Sequence, residues 1–125
     1  MDTNEYLFKV TIQKIKDEHD RRREEEAEKK KRLENALLLL ADRLEFLSNY
    51  GFTIYRDDIY RSWRPSLSVR LGNIGISFSW DNKSNDYYLF THTGAEPHYK
   101  TTDDVIVMIA ECYQNKTLGR LNYKL

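Results

Sequence analysis

The stretch KDEHDRRREEEAEKKKRLENALLLLADRLEFL, residues 16–47, predicts one helix with two different halves. In residues 16–32, fifteen of the seventeen side chains are charged, and acids stand four positions before bases, as in Glu18 and Arg22. That order stabilises an isolated helix by about 0.2 to 0.5 kcal/mol per pair. From residue 33 to residue 47, leucines recur at helical spacing, so this half is expected to enter a core.

The helix is expected to extend from about residue 5 to about residue 48, because no glycine or proline precedes Gly51. Its upstream end carries an apolar stripe at helical spacing, Phe8, Ile12 and Ile15. Such a helix reaches roughly 65 Å at about 1.5 Å per residue. A compact remainder would be only about 30 Å across. The helix must therefore protrude, bend back as a hairpin or pair with another chain. The predicted domains are a projecting charged helical arm, residues 1–32, and a globular domain, residues 33–125.

Beyond Gly51 the apolar period changes from helical to alternating, which is typical of strands. Residues 67–71 and 74–80 alternate around Gly72-Asn73, a dipeptide that favours a two-residue hairpin turn. In the register that this turn sets, the large apolar residues of both strands share one face. The predicted pairs are Leu71 with Ile74, Val69 with Ile76, and Leu67 with Phe78.

A second turn, Asp81 to Asp86, leads into a strand at residues 87–91. A symmetric hairpin places Tyr87 and Leu89 on the core face and leaves Tyr88 and Phe90 on the opposite face. After a loop, the hydroxyls and acids of residues 101–104 predict the start of a second helix. The fold class is therefore α+β: a long charged N-terminal helix, an antiparallel meander of three or four strands and a C-terminal helix, an αβββα-like order.

Composition limits the environment and the partners of the chain. Its 20 bases balance 20 acids, so no domain is strongly basic, and membrane capture is not expected. The single cysteine, Cys112, excludes an internal disulfide and indicates a reducing compartment. No secretory leader and no apolar stretch of spanning length is present, so we expect a cytoplasmic protein.

No motif indicates chemistry. The spacing of His92, Glu96 and His98 matches no zinc pattern, and no phosphate-binding loop or nucleophile signature is present. Adjacent acids such as Asp103 and Asp104 usually cap a helix. We therefore expect no enzyme activity, no metal and no cofactor.

The segment from Tyr55 to Arg70 interleaves aromatic residues with arginines, a pattern that suits base stacking and phosphate contacts. The same residue types dominate protein-binding hot spots. They also occur at core edges that arginine stems cover. Structural, protein-binding and nucleic-acid-binding interpretations therefore stay open. The residues concerned are Arg56, Tyr60, Arg61, Trp63, Arg64 and Arg70, and the outer-face pair Tyr88 and Phe90 forms a second candidate contact surface.

Basic residues of the charged helix form a further candidate surface, but acids lie between them at a similar radius. A salt-laced solvated helix and a phosphate-contacting helix are both compatible with this pattern. A homodimer through the leucines of residues 33–47 is also feasible, although the same leucines are needed to cover the sheet. The basic residues are Arg21, Arg22, Arg23, Lys29, Lys30 and Lys31.

A short chain with a long charged helix, a small meander and a capping helix resembles, from Tyr6 to Tyr113, the inhibitors that phages and mobile elements direct against bacterial defence complexes, anti-CRISPR proteins in particular. The resemblance is one of overall plan and involves no shared motif. It implies a non-enzymatic, stoichiometric protein-binding inhibitor of a nucleic-acid-handling effector. The alternatives are a nucleic-acid-binding protein that uses residues 55–70, and a homodimeric structural or assembly protein.

Overall fold

The fold was analysed in a computed structural model, which describes residues 2–61, 64–90 and 97–121. It confirms the α+β class, with a long N-terminal helix, an antiparallel sheet and a C-terminal helix. The chain divides into two compact units, Met1–Lys31 and Arg32–Leu125. The helices and strands are α1 (Thr3–Leu44), β1 (Phe52–Tyr55), β2 (Leu67–Leu71), β3 (Ile74–Asp81), β4 (Asp86–Leu89), β5 (His98–Tyr99) and α2 (Thr102–Gln114).

The first unit consists of the N-terminal part of α1, and every described residue in it except Val10 is exposed. Intrahelical ion pairs of the predicted kind are present, with Glu18 3.2 Å from Arg22 and Glu5 3.6 Å from Lys9. Both partners of each pair are half-exposed or more. Each pair therefore adds only a small, local stabilisation to the helix. The predicted boundary after residue 32 lies beside the division between the units, and the projection of the arm stays a prediction.

The end of α1 differs from the prediction. The α-helix ends at Leu44 instead of near residue 48, and Glu45–Tyr50 continue as a 3₁₀ helix. Gly51 then ends the helical region, as predicted, with φ of +87°. A side chain at that φ would be strained, so glycine fixes the point at which the chain turns into β1.

Each strand of the sheet pairs antiparallel with the next strand along the chain, in the order β1-β2-β3-β4-β5. The first hairpin has the predicted register, including Val69 opposite Ile76, and the second pairs Phe78 with Leu89. Within the described residues the sheet has five strands, whereas three or four were expected. The additional strand, β5, has two residues and was predicted as loop, because so short a segment shows no alternation.

The core lies between one face of the sheet and the two helices. Leucines 37, 40 and 44 of α1 and Val105 and Ile109 of α2 are essentially inaccessible, as are the inward residues of the strands. Tyr87 of β4 is also buried, and its hydroxyl donates to the carbonyl oxygen of Ala36 in α1 at 2.8 Å. Burial raises the pKa of Tyr87 to about 12. The sheet is thus joined to α1 by apolar packing and by one hydrogen bond.

The outer face of the sheet is partly covered by the chain between β1 and β2. Ser79 Oγ donates to the carbonyl oxygen of Pro65 at 2.7 Å. The backbone N–H of Ser66 donates to the backbone carbonyl oxygen of Asp58 at 3.1 Å. Ser77 and Ser79 are buried on this face. Exposed positions of the same face include Tyr55 and Arg70 near β1 and β2, and His98 of β5.

Candidate protein-binding surfaces

The apolar stripe of the first unit, Phe8, Ile12 and Ile15, is an exposed apolar face of α1. The exposed fractions of these side chains are 66%, 49% and 51%. Their spacing of four and three residues places them on one face of the helix. Exposed apolar side chains at this spacing are the anchors that a helix uses when it binds in a groove of a partner.

The basic residues predicted as contacts in α1 do not form a surface of one sign. Arg21 and Arg22 lie 3.9 and 3.2 Å from the same acid, Glu18. Arg23, Lys29, Lys30 and Lys31 are exposed, with glutamates of the same helix between the two basic runs. The resulting surface alternates in sign and offers no continuous track for a phosphate backbone.

A second candidate surface is the outer-face cluster, defined by Arg64, Tyr88, Phe90 and His98. The ring of Tyr88 meets Phe90 edge-on, with centroids 5.5 Å apart, and lies 5.7 Å from the His98 ring. The guanidinium carbon of Arg64 lies 5.1 Å from the centre of the Phe90 ring, within cation–π range. Arg64 has φ of +48°, a conformation that a non-glycine residue rarely adopts.

A buried carboxylate positions His98 in the outer-face cluster. Asp86 is 8% exposed, and its Oδ1 accepts from Ser84 Oγ at 2.5 Å and from His98 Nδ1 at 2.8 Å. The pKa of Asp86 is lowered, mainly by the Ser84 hydroxyl and then by His98, against the opposing effect of burial. The ionised carboxylate therefore fixes the imidazole beside Tyr88.

The structure brings the described residues of the predicted Tyr55 to Arg70 segment together only in part: Tyr55 and Arg70 line one pocket, whereas other arginines have different partners. Arg56 turns toward α1, where it pairs with Glu45 at 2.6 Å and Asp42 at 3.0 Å. Arg61 pairs with Asp58 at 2.9 Å, whereas Arg64 belongs to the outer-face cluster. Tyr60 and Arg70 are exposed, and Trp63 lies outside the described residues. These ion pairs distribute the arginines over different parts of the second unit.

A third surface was missed by the sequence analysis: an apolar groove of about 380 Å³ between the Glu45–Tyr50 turn and α2. The rings of Phe46 and Tyr50 and those of Tyr50 and Tyr113 meet edge-on, with centroids 6.3 and 6.0 Å apart. These three aromatic side chains are each more than two-fifths exposed. We name this surface the aromatic groove; Phe46, Tyr50, Ile106, Ala110 and Tyr113 are the lining residues used below.

Two further findings concern metal binding and membrane-spanning helices. In the ranges 2–61, 64–90 and 97–121, no group of three or more histidine, cysteine, aspartate or glutamate side chains is placed to hold a metal ion. Among the same residues, no helix combines the length and the apolar character needed to cross a bilayer.

No protein-family model matches this sequence, and comparisons with curated proteins and with solved structures return no match.

Proposed function

We propose that this chain is a non-enzymatic protein-binding module that docks its apolar stripe in a groove of a partner protein. The exposure of Phe8, Ile12 and Ile15 on one helix face is the observation that carries the proposal. Scattered exposed apolar residues are common, but a contiguous face of large ones marks an interaction site. The surrounding ion pairs keep this segment helical in water, so the stripe is already ordered before binding.

For the partner class, we propose a nucleic-acid-handling effector complex of a bacterial defence system, inhibited stoichiometrically in the cytoplasm. The support for this finer statement is the resemblance of the overall plan to small phage-encoded inhibitors. The outer-face cluster provides a second contact surface, because tyrosine and arginine are enriched at the energetic centres of protein interfaces. Binding at both surfaces would occlude the effector without turnover.

The experiment compares full-length chains as bait for proteins of a bacterial lysate. Wild type is compared with the double variant Phe8→Ser/Ile12→Ser and with Tyr6→Ser as a matched control. Tyr6 lies on the other side of the helix and is 60% exposed. We expect the double variant to lose the partner and Tyr6→Ser to retain it, with circular dichroism showing equal helix content. Retention of the partner by the double variant would contradict the proposal.

A nuclease-treated arm separates protein binding from nucleic-acid binding. If the chain binds the effector protein, capture survives digestion of nucleic acid and depends weakly on salt. If it binds nucleic acid, capture is lost on digestion and falls steeply as salt rises. The second result, with loss of binding in Arg61→Ala/Arg64→Ala, would replace the proposed function by the nucleic-acid alternative.

A further inference from the structure

We infer that the apolar stripe of one copy docks in the aromatic groove of a second copy, and that two chains exchange these contacts reciprocally. The inference rests on the proposed role of the stripe as a docking helix and names the occupant of the groove. It also makes self-association a competitor of any other partner, because a stripe that lies in the groove is covered.

The shapes of the two surfaces correspond. The stripe presents Phe8, Ile12 and Ile15 at the i, i+4 and i+7 positions, which is the pattern of helix-in-groove recognition. The groove is formed by two helical segments and is lined mainly by apolar and aromatic side chains. Its volume of about 380 Å³ lies within the range of pockets that bind small molecules, about 300 to 1,000 Å³.

The charges that flank the two surfaces are complementary. Residues 3–16, which carry the stripe, contain three lysines and one glutamate. The groove wall α2 contains three acids, Asp103, Asp104 and Glu111, and no base; Asp103 already pairs with Arg43 of α1, which leaves Asp104 and Glu111 as the acids that attract a basic partner. Electrostatic attraction therefore steers the basic stripe segment toward the acidic groove wall and disfavours pairing of two stripe segments with each other.

A second copy is the occupant that the flanking charges favour, and docking within a single copy is one of the outcomes that would overturn the inference. Reciprocal exchange forms the same contact twice, which brings the buried area closer to the roughly 1,200 to 2,000 Å² of stable interfaces.

The test is sedimentation velocity of the full chain over a wide concentration range. The stripe variant is Phe8→Ser/Ile12→Ser, with Tyr6→Ser as its control. The groove variant is Ala110→Arg, which adds bulk and positive charge to an exposed position of the lining. Its control is Val107→Arg, the same change of charge on α2 at an exposed residue that does not line the groove.

We expect wild type and both controls to dimerise, and the stripe and groove variants each to dimerise roughly a thousandfold more weakly or worse, because each loses a hot-spot contact of about thirtyfold at both reciprocal sites. A mixture of the two variants should regain partial dimerisation, since it keeps one intact stripe and one intact groove. Dimers that are indifferent to Ala110→Arg would show pairing of stripe with stripe and overturn the inference. A wild-type monomer at all concentrations, whether extended or folded on itself, would also overturn it.

Partner capture distinguishes this failure from failure of the proposed function. Ala110→Arg leaves the stripe intact and removes its competitor, so this variant should capture the effector at least as well as wild type. A monomeric wild type whose capture still depends on Phe8 and Ile12 would overturn self-docking alone. Capture that is indifferent to the stripe would overturn the proposed function.

Discussion

The two units of this chain obtain their order from different interactions. In Met1–Lys31, side chains of opposite sign neighbour each other along one helix, and nearly every described residue is exposed. In Arg32–Leu125, two helices and a sheet bury a shared apolar core that includes Leu37 and Phe78. The first unit thus depends on many weak local pairs, whereas the second depends on a few large burials. Substitutions of the same type should therefore have very different effects in the two units.

The sharpest contrast is between two phenylalanines, Phe78 of β3 and Phe8 of α1. Phe78 is inaccessible, so Phe78→Ala should lower the free energy of unfolding by about 3 to 5 kcal/mol through lost burial and the cavity that remains. Phe8 is 66% exposed, so Phe8→Ala should change the free energy of unfolding by less than about 0.5 kcal/mol. Urea denaturation at concentrations where the chain is monomeric measures both values. Similar losses at the two sites would refute the contrast.

The burial of Tyr87 should make the second unit sensitive to alkali. Because the folded-state pKa of about 12 exceeds the ordinary value of 10.0, the stabilisation is complete below pH 10 and is lost as pH rises toward 12. The loss attributable to this residue should be about 2 to 3 kcal/mol. Denaturation of wild type and Tyr87→Phe across this range measures it, and the variant should lack this component. Parallel curves for the two proteins would contradict the prediction.

Asp86 should make the stability of the second unit fall in acid, by less than Tyr87 makes it fall in alkali. Its pKa lies below the ordinary value of 3.8, so the stabilisation is present above that pH and is lost as pH falls through the folded-state pKa. We expect Asp86→Asn to remove about 1 kcal/mol at neutral pH, since the Ser84 and His98 hydrogen bonds then meet a neutral acceptor. The variant should also show a flatter stability profile below pH 4 in denaturation experiments. If the stability of Asp86→Asn fell below pH 4 as steeply as that of wild type, the stabilising role of the Asp86 carboxylate would be contradicted.

The smallest effect should come from the first unit. Glu18→Gln removes the acid shared by Arg21 and Arg22, and the expected loss is about 0.2 to 0.5 kcal/mol per pair. Thermal melts followed by circular dichroism at low and high salt measure it. The difference between wild type and variant should shrink as salt rises, because these charges are exposed. A difference that persists at high salt would show that Glu18 has a role beyond these pairs.

The parts of the fold that depend on local patterns could be predicted from the sequence. The turn at Gly72-Asn73 fixed the register of Val69 and Ile76, and the hydroxyl of Thr101 caps α2 in a reciprocal capping box with Asp104. What could not be predicted depends on contacts between distant residues. Arg56 leaves the expected basic surface because Asp42 and Glu45, more than ten positions away, attract it.

Candidate sites could likewise be predicted where they lie within one segment, and not where distant segments form them. The apolar stripe was visible as helical spacing in one segment, and Tyr88 and Phe90 were placed on the outer face by alternation alone. The aromatic groove was missed because its walls, the Glu45–Tyr50 turn and α2, are separated by the whole sheet in sequence. The only sequence signal was the presence of Phe46 and Tyr50 beside the helix stop, where no core position required them.

The order of the strands has a consequence for how this molecule reaches its native state. Because every strand pairs with the strand before it, the sheet assembles through short loop closures, and topologies of this kind fold quickly. The hydrogen bond from Tyr87 to Ala36 spans 51 positions and closes a much longer loop. We expect the meander to form early and the attachment of α1 to complete folding. Substitutions in the β2–β3 hairpin should therefore slow refolding, whereas those at the Tyr87 contact should mainly speed unfolding.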